Sequence, residues 1–84
     1  MKTKTKYQFN QECDMIEKYI ERVRFMAPII SDAKIVYDRW ENRYITTLHF
    51  VNDTEAYQIN AKDAASTIEG LNEFVVLYQK AMKL

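Results

Sequence analysis

A chain of 84 residues is too short for two ordinary domains but can build one thin core, and 48% apolar with 29% charged residues marks a folding chain, not a disordered tail. Twelve basic side chains balance twelve acidic ones, so no net field gathers nucleic acid or an anionic membrane, and the chain is not acidic enough to imitate DNA by charge. A lone Cys13 excludes an internal disulfide, and with no long apolar run at the start, a reducing cytoplasm without a membrane is the expected setting.

Residues 1 to 6 alternate lysine and threonine after Met1, with no apolar segment following, and are expected to be a solvated basic arm on a single domain spanning 1–84. One glycine and one proline leave no room for a linker or repeat. Phe9, Cys13, Ile16, Ile20, Val23 and Ala27 then step by four and three, one stripe of an amphipathic helix, with Glu12, Glu17, Glu21 and Arg24 off it. Thr5 and Gln8 have the spacing of a capping box, Asn10 is an alternative cap, and Pro28 stops the helix.

From Ala33 to Asn60 the period changes to two and β-branched and aromatic residues dominate, which predicts strands at roughly 33–40, 44–51 and 55–60. Glu41-Asn42-Arg43 and Asn52-Asp53-Thr54 separate them as short turns, which force antiparallel neighbours. A last helix starts at Asn60 as cap, with Asp63 at its positive end, and repeats the four-three stepping at Ala64, Ile68, Leu71, Val75, Tyr78 and Met82. Gly70 costs about 1 kcal/mol there relative to alanine and marks where this helix would bend or break. The expected class is α+β in the order α-β-β-β-α, two helices on one face of a three-stranded antiparallel sheet.

A three-residue first turn sets Trp40 opposite Tyr44 and Val36 opposite Leu48; a two-residue second turn sets Leu48 opposite Tyr57 and Thr46 opposite Ile59. The covered face would then hold Val36, Trp40, Tyr44, Leu48, Phe50, Tyr57 and Ile59. The open face would hold Ile35, Tyr37, Arg39, Ile45, Thr47, His49, Val51, Ala56 and Gln58, and a one-residue slip would exchange the two. The open face is either a docking patch or an ordinary solvated sheet face. On the docking reading Tyr37, Arg39, Ile45, Thr47, His49 and Val51 contact a partner protein, and alanine at Tyr37 or Arg39 weakens binding without loss of stability. The last helix carries a second apolar stripe, Phe74, Leu77, Ala81 and Leu84, which packs on Met15, Tyr19 and Met26 or meets another chain, closing a homodimer.

Chemistry has little to build on. One cysteine on a helix stripe and one histidine mid-strand make neither a nucleophile–base pair nor a zinc cluster, and the carboxylates Asp38, Glu41, Asp53 and Glu55 lack the spacing of a calcium loop. A single glycine rules out a phosphate-cradling loop or dinucleotide fingerprint. The expectation is a non-catalytic chain without metal or cofactor.

The order helix, three strands, helix resembles the double-stranded-RNA-binding domain, which would imply phosphate contact by a lysine-rich start to the second helix. Here that stretch, Asn60-Ala61-Lys62-Asp63-Ala64-Ala65, has one lysine beside an aspartate and is followed by Glu69 and Glu73, so nucleic-acid binding is expected to be weak at most and to use the basic arm. Size and element order also resemble small phage-encoded inhibitors of bacterial defence systems, certain anti-CRISPR proteins among them. That likeness implies an inhibitor or adaptor occupying a larger protein's working surface, and neutral charge departs from the acidic, DNA-imitating members.

Overall fold

The computed structural model describes residues 5–52 and 55–82. The arm expected at 1–6 therefore falls mostly outside the described residues, as do turn positions 53 and 54 and Leu84. The elements are α1 (Lys6–Met26), β1 (Ile30–Asp38), β2 (Arg43–Phe50), β3 (Ala56–Ala61) and α2 (Ala64–Met82), with the strands antiparallel in the order β1-β2-β3. The α+β class and its α-β-β-β-α order are as expected.

α1 begins where its cap was read. The Thr5 hydroxyl accepts from the Gln8 amide at 3.2 Å, and the Gln8 side chain accepts from the Thr5 amide at 3.1 Å. Ile16, Ile20, Val23 and Ala27 are buried, Phe9 and Cys13 pack at the core margin, and the helix ends at Met26, two residues before Pro28. Glu12 meets Ala64 and Tyr19 meets Asn72, so the two helices run side by side in the same direction.

α2 departs from expectation in three ways. Asn60 lies inside β3 and does not cap; Asp63 does, its Oδ1 accepting from the Ser66 amide at 2.8 Å. The helix runs unbroken through Gly70, which lies so close on β3 that a Cβ there would stand 2.6 Å from Ile59 Cγ2. Its buried stripe is Ala64, Thr67, Leu71, Phe74 and Val75; Met82, expected in the core, is largely exposed.

Between β2 and β3 the register is as read, Thr46 opposite Ile59 and Leu48 opposite Tyr57. Between β1 and β2 it is not: Tyr37 faces Tyr44, Val36 faces Ile45 and Ala33 faces Leu48. Asp38 Oδ1 accepts from the Trp40 and Glu41 amides at 2.9 and 3.4 Å, and Asn42 takes a left-handed φ of 54°. Together they end β1 at Asp38 and close a longer turn than the three residues assumed. The displacement is an odd number of residues, so every β1 side chain changes face. Ala33, Ile35 and Tyr37 face the helices, Val36 faces outward, and Trp40 stands in the turn, 94% exposed. A bulge between Ile30 and Asp32 then brings Ile30 back into the core opposite Phe50.

Candidate functional site

Of the six residues expected on a docking sheet face, the register keeps Ile45, Thr47 and His49 together along the outer side of β2. Tyr37 is corrected to the helix-covered side. Its ring lies edge-on to Phe9 at 5.2 Å and 5.0 Å from Tyr44, and its hydroxyl donates to Asn42 Oδ1. Arg39 is in the β1–β2 turn and Val51 just past β2, both exposed. The rows across the open face read Val36–Ile45–Asn60, Lys34–Thr47–Gln58 and Asp32–His49–Ala56, with Gln58 Nε2 donating to Thr47 Oγ1 at 3.5 Å. Val36 and Ile45 are the apolar pair across these rows, set among polar side chains.

The concentrated apolar surface lies instead where α2 ends. Phe74, expected on a second stripe that packs on Met15, Tyr19 and Met26 or meets another chain, is instead in the core against the sheet. Its ring centroid is 5.7 Å from Phe50, 5.3 Å from Tyr57 and 6.4 Å from Tyr78. Above this cluster opens a groove lined by Ile29, Phe50, Asn52, Tyr57, Phe74, Leu77 and Tyr78. Leu77 rims it at 58% exposure, and Val51 donates its amide to the Ile29 carbonyl beside it at 2.9 Å. Met82 one turn on, with Phe25 and Met26 closing α1, extends exposed apolar surface at the same end, and Ala81 is exposed on α2. Leu77 and Ala81 are exposed, and so are Met15 and Met26, the α1 residues on which this stripe could have packed, while Tyr19 reaches α2 at Asn72. The sequence named Phe50, Tyr57 and Tyr78 as core residues but held no signal that Ile29 would join them, since that depends on how the turn after Pro28 meets Val51.

At the opposite end the chemistry is polar. Glu12, on α1, accepts from the Tyr44 hydroxyl at 3.2 Å through Oε1 and from the Ala64 amide at 2.7 Å through Oε2, tying α1 to both β2 and the start of α2. Burial, then the Glu12 carboxylate, holds the Tyr44 phenol well above the ordinary tyrosine range. Burial also pushes the Cys13 thiol up, helped by the carboxylates of Glu17, Asp14 and Glu12, which leaves it a poor nucleophile near neutrality. Among the described residues no three His, Cys, Asp or Glu side chains are grouped to hold a metal, and no helix is long and apolar enough to cross a membrane. No family model, curated protein or solved structure matches the chain.

Proposed function

We propose that this chain is a small non-catalytic interaction domain, an inhibitor or adaptor in the cytoplasm that occupies a surface of a larger protein through the groove at the end of α2. The observation that carries the reading is Leu77, more than half exposed on the rim of a groove floored by Phe50, Tyr57, Phe74 and Tyr78. Concave, aromatic-lined sites with a rigid floor suit one aliphatic or aromatic anchor from a partner, and such anchors dominate binding energy. The likeness in size and element order to phage-encoded inhibitors of defence systems fits this mode of action.

A nucleic-acid role has less support. At the start of α2, where the double-stranded-RNA-binding family would meet phosphate, the Ala64 and Ser66 amides already serve the carboxylates of Glu12 and Asp63. A second reading, a homodimer closed through α2, rests on the exposure of Leu77, Ala81 and Met82 along one helix.

Leu77→Glu tests both. The expected outcome is a folded monomer that no longer retains the protein captured by the wild type. Equal capture by both contradicts the groove, and a concentration-dependent wild-type mass that the substitution abolishes supports the homodimer instead.

A further inference from the structure

The two free edges of the sheet are built differently. β1 carries devices that keep edges from pairing: the bulge at Ser31, the charges of Asp32, Lys34 and Asp38, and Arg24, which donates to the Ser31 carbonyl at 3.0 Å. β3 carries only one of them, the Arg43 guanidinium donating to the Asn60 carbonyl at 3.5 Å near the strand's end, with neither bulge nor charge along the strand. It reads Ala56-Tyr57-Gln58-Ile59-Asn60-Ala61, without charge or proline, and pairs with β2 without a register shift. Its outer side and α2 form a second groove, lined by residues 57–62 of the strand end and by Ser66, Glu69, Gly70 and Glu73 of the helix. Gly70 allows α2 to settle directly on Ile59, so the exposed Glu69 and Glu73 stand beside the strand as an acidic wall. Arg43 donates to the Asn60 side chain at the far end, near Lys62.

We propose that β3 receives an extended peptide with lysine or arginine at alternate positions, added antiparallel as a fourth strand. This rests on the reading of the chain as an interaction domain but uses a different surface. Main-chain pairing to β3 supplies affinity without regard to sequence, and alternate guest side chains project over the helix side of the sheet. There they meet Glu69 and Glu73, which select positive charge. A second copy of this chain is the poorer guest, because its own β3 offers no lysine or arginine to Glu69 and Glu73.

The test uses the full chain and an end-capped peptide of about seven residues alternating lysine and valine, a length suited to the six-residue β3. Titration at low salt is expected to give saturable binding. A Glu69→Lys, Glu73→Lys double variant with unchanged circular dichroism should bind roughly tenfold more weakly, as should a glutamate–valine peptide against the wild type. Methylating alternate backbone amides of the lysine–valine peptide should abolish binding, since it removes the ladder hydrogen bonds while keeping every charge. No saturable binding, or equal binding of the methylated peptide, overturns the proposal. Leu77→Glu should bind the peptide as the wild type does. If the peptide fails while Leu77-dependent capture stands, only the edge proposal falls; if the peptide binds but capture ignores Leu77, only the groove reading falls.

Discussion

Where α1 begins, the polar groups of the interior find partners: Glu12 serves the Tyr44 hydroxyl and the first amide of α2, and the rings of Phe9, Tyr37 and Tyr44 pack around them. Where α2 ends, the rings of Phe50, Tyr57 and Tyr78 pack around that of Phe74 and the chain leaves a groove open above them. Burial whose polar groups are hydrogen-bonded to one another is what a structural junction looks like, even with Tyr7 and Trp40 exposed at its margin. Apolar surface left in contact with water beside an already packed cluster is what a docking surface looks like. On the proposed reading, the difference separates residues that hold the fold from residues that meet a partner.

Substitutions can break that contrast in order of expected effect. Phe74→Ala removes the ring on which Phe50, Tyr57 and Tyr78 pack and should cost about 3–5 kcal/mol, read as a lower urea midpoint. Glu12→Ala leaves the Ala64 amide without this acceptor and takes a partner from the Tyr44 hydroxyl, for a loss of about 1–3 kcal/mol in the same assay.

The polar junction also gives the fold a pH dependence. The folded phenol of Tyr44 is raised above its unfolded value, so its contribution is intact below about pH 10, where both states keep the proton. Above that, the unfolded chain ionises first and stability falls as pH rises. Tyr44→Phe should flatten that alkaline decline in a series of denaturation curves, though it starts from a lower stability because the bond to Glu12 is gone.

The same contrast explains what could be read from the residues. Both helices, the capping box at Thr5 and Gln8 and the β2–β3 register followed from periodicity and local turn chemistry, because those signals lie within a few residues of one another. The β1–β2 register did not. It turned on Asp38 folding back to the amides of Trp40 and Glu41, a local hydrogen-bond choice that the alternation of Val36, Tyr37 and Trp40 could not reveal. That one turn moved Tyr37 from the expected partner surface to the core margin and put Trp40 into solvent. Leu77 and Ala81 were legible as surplus on α2, whereas the groove needed Ile29 and Phe50 from distant parts of the chain. The bare edge of β3 was equally hidden, since which strand lies beside α2 is a tertiary fact.

The smallest expected stability effect falls on Leu77. Leu77→Glu places a charge on the rim of the apolar groove and should change folding stability by no more than about 0.5 kcal/mol, as surface substitutions do. The most direct measurement is therefore the urea midpoint of Leu77→Glu beside those of Phe74→Ala and the wild type, with partner capture read from the same preparations. A near-wild-type midpoint with capture lost is the expected result. A Leu77→Glu midpoint as low as that of Phe74→Ala would place Leu77 in the core and rule this end out as a docking surface.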